Sequence, residues 1–295
     1  MIDRCLKKKI LFIINPISGG MDKRGFPLLV EKYLDKAKFT ARFVFTEYEG
    51  HALELAAEAA AQEEDIVVAV GGDGTINEVA SGIAGTRSIM GIVPCGSGNG
   101  LALSLGLSLN NEKAVAALNA LRVRIIDSGL LNGQKFFNMA GIGFDAHISH
   151  EFARLPSRGF LGYVRTAFTE IVRYKSQQYR IEVDGSLYER TAFMISIANS
   201  PQYGNNAYIS PEASLSDGLL DLCIVKPFPL ALFPAVALRM FRKTAHKSRY
   251  VEIIKGKNIR IVSYGNARVH LDGEPRLVGE EILISVEPSS LSVLY

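Results

Sequence analysis

Three short segments within the first hundred residues gather glycine, small polar side chains and one carboxylate: Asn15-Pro16-Ile17-Ser18-Gly19-Gly20, Gly71-Gly72-Asp73-Gly74-Thr75 and Pro94-Cys95-Gly96-Ser97-Gly98-Asn99-Gly100. Such loops let backbone N–H groups approach phosphate oxygens with no Cβ in the way. In the middle segment Thr75 and Glu78 have capping-box spacing, which predicts a helix starting directly after the turn, where unpaired N–H groups and the helix dipole favour an anion. Asp73 is an odd occupant of such a place. A carboxylate repels phosphate, and a divalent cation such as Mg²⁺ between the two removes the conflict. The plainer account, a local turn with Gly74, stands beside it. The third loop is weaker alone, because a GxGxG run is as often a tight turn, and it does not follow the first strand as a dinucleotide fingerprint must. Neither a GxxxxGK[ST] loop nor the HRD and DFG triplets of protein kinases occurs.

These loops need elements to hold them on one edge. From residue 9 to about 127, short β-branched runs alternate with helical patterns, which predicts a doubly wound, mostly parallel sheet covered by helices. The strands are expected at residues 10–14, 41–46, 66–70, 89–93 and 123–126, the helices at 26–38, 51–62, 75–84 and 113–121. Ligands of such sheets bind beyond the carboxyl ends of the strands, where the three loops fall. After residue 127 the pattern becomes antiparallel β with helices at 146–154 and 159–174. Strand-like runs follow at 179–183, 191–198, 220–225, 250–254, 259–262, 267–271 and 282–286. Asp184-Gly185 and Asp272-Gly273 carry hairpin signals. The expected fold is thus an α/β nucleotide-binding domain (1–127), a β-rich, sandwich-like domain with inserted helices (128–290) and a tail (291–295) that packs back on the first domain, with the active site in the cleft between domains.

With 295 residues, 48% hydrophobic and 21% charged, the chain has the bulk composition of a folded globular protein, and a net charge of only +3 gives no sign of nucleic-acid binding. Cys5, Cys95 and Cys223 have neither zinc-site spacing nor disulfide-scaffold density, which favours a reducing cytosol. Asn15 and Pro16 cut the first apolar run short, so neither a signal peptide nor a transmembrane segment is expected. Residues 230–241 form an apolar helix candidate followed by Arg242, Lys243, His246, Lys247 and Arg249, which suits an anionic membrane surface or an ordinary packing helix with a basic end. Phe160, Tyr163, Val164, Ala167, Phe168 and Ile171 have helical spacing that more often means core than lipid groove.

In this order and at these intervals, the three loops resemble the diacylglycerol kinase catalytic family, which includes bacterial lipid kinases and sphingosine kinases. The second half is similar too: Ser214-Leu215-Ser216-Asp217-Gly218-Leu219 resembles the family's structural magnesium segment, and Leu271-Asp272-Gly273-Glu274 the segment with its catalytic base. The resemblance implies an ATP- and Mg²⁺-dependent lipid kinase that transfers the γ-phosphoryl group to a lipid hydroxyl, as of diacylglycerol. ATP would lie against Asn15, Pro16, Ile17, Ser18 and Gly19, and against Gly72, Asp73, Gly74, Thr75, Ile76, Asn77 and Glu78, with Thr46 and Ser97 completing the site. Asp73 would act through catalytic Mg²⁺ and Glu274 as general base. Asp127 would belong to the metal network, and Asp217, with the backbone carbonyls of Ser214 and Leu219, would hold a structural cation. From the bare sequence, Glu274 also reads as an exposed strand residue after a plain hairpin.

The family usually carries Asp after the Asn of the third loop, where this chain has Gly100, a feature closer to sphingosine kinases. Sphingoid bases and ceramide are therefore alternative acceptors. NAD kinase, which shares Gly-Gly-Asp-Gly-Thr, and a catalytically inactive nucleotide or lipid sensor are further alternatives. The expected partners are a lipid presented at a membrane surface, no nucleic acid, and as an open alternative a second copy in a homodimer. The expected location is cytoplasmic, with peripheral association with the inner face of the membrane.

Overall fold

The apolar run at residues 10–14 is buried throughout, as a strand covered on both faces must be, and forms the centre of β1 (Lys8–Ile14). The computed structural model describes residues 7–20, 23–153, 160–265 and 267–295. Cys5, Arg154, Gly159 and the side chains of Phe160, Tyr163 and Val164 lie outside the described residues. By internal contacts the chain divides into one unit of Met1–Ile126 with Ser289–Tyr295 and a second of Asp127–Pro288.

In the first unit, β1 is followed by α1 (Phe26–Tyr33), β2 (Phe39–Phe45), α2 (His51–Ala61), β3 (Ile66–Gly71), α3 (Asp73–Ile83), β4 (Ile89–Pro94), α4 (Gly100–Ser104) and α5 (Asn111–Leu118). The order β2-β1-β3-β4 is parallel at every step. Two expectations need correction. The helix expected over 26–38 stops at Tyr33, because the Asn119 side chain donates to the Tyr33 carbonyl at 2.8 Å and accepts the Asp35 N–H at 2.8 Å, pulling the chain out of the helix. Residues 123–126 are not a fifth parallel strand: they open β5 (Val123–Leu131), whose first three residues are exposed. The place beside β4 is taken by the chain end, with Val293 alongside Met90 and the Gly85 N–H donating to the Ser290 carbonyl at 2.7 Å.

The second unit continues with β6 (Gln134–Phe136), β7 (Met139–Gly143), α6 (Phe144–Ala153), α7 (Phe160–Glu170), β8 (Gln177–Val183), β9 (Ser186–Ala192) and β10 (Met194–Ala198). There follow β11 (Leu220–Val225), α8 (Phe233–Phe241), β12 (Val251–Gly256), β13 (Asn258–Ser263), β14 (Ala267–Leu271), β15 (Glu274–Val278) and β16 (Glu281–Leu294). One antiparallel sheet runs β12-β11-β10-β7-β14-β15, and β13 and β8 build a second with the first half of β16 and with β9. Ile181, Ile261 and Ile282 from one sheet meet Ile142, Ile197 and Leu222 from the other in a sandwich core. The run expected over 191–198 is two strands in different sheets: β9 alternates exposed and covered residues, β10 is almost wholly buried, and between them the Phe193 N–H donates to the Val225 carbonyl. Both Asp-Gly pairs form hairpins, with φ of 47° and 85° at Asp184-Gly185 and 49° and 93° at Asp272-Gly273, the positive pair that a type I′ turn requires.

Candidate functional site

The three glycine loops of the first unit are locked into one another. A Cβ on Gly19 would stand 2.1 Å from the Cys95 carbonyl oxygen, and one on Gly96 would stand 2.6 Å from Gly72 Cα. The first loop thus touches the third, and the second touches the third, at positions where no side chain fits. Gly19 also sits at φ 65°, where a Cβ is strained whatever the space. These glycines therefore serve the packing of the loops against one another. Asn99 closes the third loop on itself, accepting the Gly96 N–H at 2.9 Å and donating to the Gly96 carbonyl at 2.8 Å.

Asp73 joins the second loop to the third. Its Oδ2 accepts the Asn99 N–H and its Oδ1 the Gly100 N–H, each at 2.8 Å, so the carboxylate lies at the start of α4, whose dipole suits it. A local turn with Gly74 is not what holds it. A single carboxylate fixed beside a loop of this kind fits the one-carboxylate share of a phosphate-bound Mg²⁺.

Helix α3 starts at Asp73, two residues earlier than the Thr75–Glu78 spacing predicts, and no side chain caps it. The N–H groups of its first turn have no intrahelical acceptor, and the ladder begins with the Ile76 N–H on the Gly72 carbonyl at 2.9 Å. The amides of Gly74 and Thr75 can therefore meet an anion, whereas those of Ile76, Asn77 and Glu78 are spent in the helix. The Glu78 carboxylate is engaged elsewhere: it accepts the Gly50 and Ala52 N–H groups at 3.1 Å each, capping α2. Thr75 is buried, its hydroxyl accepting from Asn15 Nδ2 at 3.1 Å, which ties the first loop to the second.

In the first loop, Asn15 Oδ1 accepts the Ile17 N–H and the Asn15 carbonyl accepts the Ser18 hydroxyl, leaving the Ile17 side chain 83% exposed after Pro16. The Thr46 N–H donates to the Ile14 carbonyl, so Thr46 sits at the same strand ends. Ser97 lies within the closed third loop. Gly19, Cys95, Gly96, Asn99 and the start of α5 line a cleft of about 450 Å³. Sequence reasoning missed Lys23. It is buried, its ammonium donates to the Ser18 carbonyl, and burial pulls its titration below the usual lysine value while the Cys95 thiol works the other way. The only signal would have been a lysine a few residues beyond the glycine pair.

In the second unit, Asp127 and the 214–219 segment are adjacent. The Asp127 N–H donates to the Leu215 carbonyl at 2.7 Å, and Asp127 Oδ2 accepts the Gly218 N–H at 2.8 Å. Asp217 Oδ1 accepts the Leu219 N–H, and its Oδ2 lies 3.6 Å from the Lys255 ammonium, which also faces Asp221 at 3.3 Å. Burial lowers the Lys255 titration, and Asp221 followed by Asp217 more than restores it, so it rises above the usual value. Among the described residues no group of three or more His, Cys, Asp or Glu is gathered for a metal. One carboxylate with the carbonyls of Ser214 and Leu219 and several waters is nevertheless a donor set a hard cation accepts.

The Asp272-Gly273-Glu274 turn is more than a hairpin. Asp272 is buried, and its carboxylate accepts three backbone N–H groups, those of Phe137, Asn138 and Met139, at 2.8 to 2.9 Å. Hydrogen bonds to a charged group contribute about 1.5–3 kcal/mol each, so the turn is fixed in place. Asn199 extends this fixation: its Nδ2 donates to the Phe137 carbonyl at 2.7 Å and to the Asp127 carbonyl at 2.9 Å. A continuous chain of bonds therefore runs within the second unit from Gly218 through Asp127, Asn199 and Phe137 to Asp272. Glu274 opens β15 beside this anchor, half-buried, its backbone paired with Leu271. Cys95 and Cys223 are buried free thiols.

Residues 9–131 match the diacylglycerol kinase catalytic domain model, and residues 138–295 match the YegS C-terminal NAD kinase beta sandwich-like domain. A diacylglycerol kinase of Bacillus subtilis is 31% identical over 279 residues, covering 90% of each chain. A solved diacylglycerol kinase structure from Bacillus anthracis superposes with a TM-score of 0.73 at 22% identity, over 98% of this chain and 97% of that one. An NAD kinase from Archaeoglobus fulgidus, solved with ATP, shares the fold at a TM-score of 0.54 and 14% identity, over 97% and 93%.

Proposed function

Since this chain belongs to the diacylglycerol kinase family and is a lipid kinase, we propose that it transfers the γ-phosphoryl group of ATP to the free hydroxyl of diacylglycerol. The observation that supports this most is the first turn of α3, where the N–H groups of Gly74 and Thr75 have no intrahelical acceptor, set where the three loops lock and flanked by the fixed carboxylate of Asp73. In this reading the N–H groups of Gly74 and Thr75 and the loop around Asn15–Ser18 receive the phosphates, Thr46 and Ser97 border the nucleotide, and Asp73 holds Mg²⁺. The metal would supply charge neutralisation on the phosphates. Glu274 takes the proton of the acceptor hydroxyl, held in reach by the Asp272 anchor. The test is mass-spectrometric detection of phosphatidate from purified chain, ATP, Mg²⁺ and diacylglycerol micelles; its absence would refute the reading.

We assign Asp217, Ser214 and Leu219 to a structural cation beside Asp127. Asp217→Asn is then expected to lower the melting temperature by about 2–4 °C, the equivalent of about 1 kcal/mol in a chain of this size, and to abolish the rise that millimolar Mg²⁺ gives the parent. ATP affinity stays within about twofold. Equal Mg²⁺ stabilisation of both proteins would remove the cation from this loop.

Among the described residues no helix is long and apolar enough to cross a membrane; in the proposed reaction the lipid is met at a membrane surface. The α8 region suits that contact: α8 has no buried residue, and Leu230, Leu238 and Phe241 are about half exposed. From residue 227 to 251 the chain carries Arg239, Arg242, Lys243, Lys247 and Arg249 and no carboxylate. Each cation contributes about 1 kcal/mol near an anionic surface. Arg242→Glu with Lys247→Glu is expected to reduce co-sedimentation with phosphatidylglycerol vesicles at least about tenfold while leaving the melting temperature unchanged; undiminished binding would place the contact elsewhere.

A further inference from the structure

Beneath the Glu274 turn lies a buried pair that the phosphoryl-transfer chemistry does not use. His270, on β14, is 2% exposed, and its Nε2 is 2.8 Å from Oδ2 of Asp145, itself buried in the first turn of α6. Room for this pair is made by Gly141 of β7, directly across from His270. A Cβ there would stand 2.2 Å from Nε2 and 2.6 Å from Asp145 Oδ2. On its other edge, the His270 ring receives the turn itself: the Gly273 N–H donates to Nδ1 at 3.3 Å. Only an imidazole without a proton on Nδ1 can accept that bond, and only one with a proton on Nε2 can donate to Asp145.

We propose that His270 is the positioning residue of the Glu274 turn: Asp145 fixes its neutral tautomer, and Nδ1 then holds the Gly273 N–H and with it the backbone that aims the base. Asp272 anchors one side of the turn from β7 and its preceding loop, and His270 anchors the residue between that anchor and Glu274. The inference rests on the reading of Glu274 as the base. It adds a device that makes the aim of the base depend on the protonation of a buried neighbour.

The ionisable groups on the surrounding elements are Asp145, His147, His150 and Glu151 on α6, Arg268 and Asp272 on the hairpin's first arm and loop, and Glu274 and Arg276 on its second. Arg268 is engaged with His147 and Glu151 at 3.3 and 3.5 Å. β7 carries none. Burial disfavours the charged ring, but Asp145, by its charge and its hydrogen bond, and then Asp272 outweigh burial, so His270 titrates above its ordinary value of 6.5. Protonation places hydrogen on Nδ1 and removes the acceptor for Gly273. Stability and activity then move oppositely. Because the folded value is raised, the stability from the Asp145 pair is complete below the unfolded value and is lost as pH rises through the folded one, whereas the turn-holding form appears as pH rises through the same value.

The test uses the full chain with His270→Asn, whose Oδ1 takes the place of Nδ1 and does not titrate, and His270→Gln, whose amide keeps a donor near Asp145 but offers Gly273 no acceptor. For the parent, kcat is expected to rise with pH along a limb above 6.5 while the melting temperature falls. In His270→Asn that limb disappears, with kcat within about threefold of the parent's plateau. In His270→Gln kcat falls at least about tenfold with KM for ATP unchanged, as expected for misaimed reacting groups. Equal losses of kcat and of stability in both variants, or persistence of the limb in His270→Asn, would overturn the proposal. Should both fail to fold, Asp145→Asn in place of them must shift the limb to lower pH, and an unshifted limb would equally overturn it. Imidazole ¹⁵N shifts of His270 report the tautomer without any assay: an Nε2–H form at high pH is expected, and an Nδ1–H form would refute the tether even if no lipid were phosphorylated.

Discussion

Glu274→Gln is expected to reduce phosphoryl transfer at saturating ATP by at least about a hundredfold, the share that a positioned general base supplies. Glutamine has the same shape and leaves the Leu271 pairing, the three N–H bonds to Asp272 and the hairpin intact. Melting temperature and ATP affinity should therefore stay close to the parent values. The contrast makes the result informative: a loss of transfer with no loss of fold or nucleotide is what removal of a proton acceptor does. Near-normal turnover in this variant would take Glu274 out of the chemistry and return it to an ordinary strand residue.

The second large effect is expected at Asp73. Both carboxylate oxygens accept backbone N–H groups from the third loop. Asparagine keeps one acceptor, turns its NH₂ toward a backbone donor and removes the charge assigned to Mg²⁺. Hydrogen bonds to charged groups contribute about 1.5–3 kcal/mol each, and about 1.4 kcal/mol is tenfold. We therefore expect kcat/KM for ATP to fall at least about a hundredfold in Asp73→Asn, with a lower melting temperature. Gly98→Ala separates geometry from charge, because its Cβ would stand 2.7 Å from Asp73 Oδ2 while the charge remains. Its loss should be smaller and no more Mg²⁺-dependent than the parent. Equal losses in the two variants would mean that Asp73 only clamps the loops.

Much of this was legible in the chain because it is local. Continuous apolar runs mark the buried strands β1, β3 and β4, and Asp-Gly marks both hairpins, since each signal lies within a few residues of its cause. Thr75 and Glu78 show where local reading stops: the i, i+3 spacing fits a capping box, yet Glu78 caps a different helix, 26 residues upstream at Ala52. Nothing in the sequence distinguishes the two uses. Likewise, the composition of the three loops suggests room for phosphate, whereas Gly19 and Gly96 make room for neighbouring backbone contributed by another loop. The strand beside β4 comes from the chain end, and His270 meets Asp145 across 125 residues, separations at which no periodicity speaks.

In the proposed reaction this cradle and this base serve a lipid hydroxyl. The most direct measurement supplies the purified chain with γ-labelled ATP, Mg²⁺ and parallel micelles of diacylglycerol, sphingoid base, ceramide and phosphatidylglycerol, with NAD as a water-soluble acceptor. Label in phosphatidate, lost in Glu274→Gln, is the predicted result; label in NADP alone, or in no product, would contradict it.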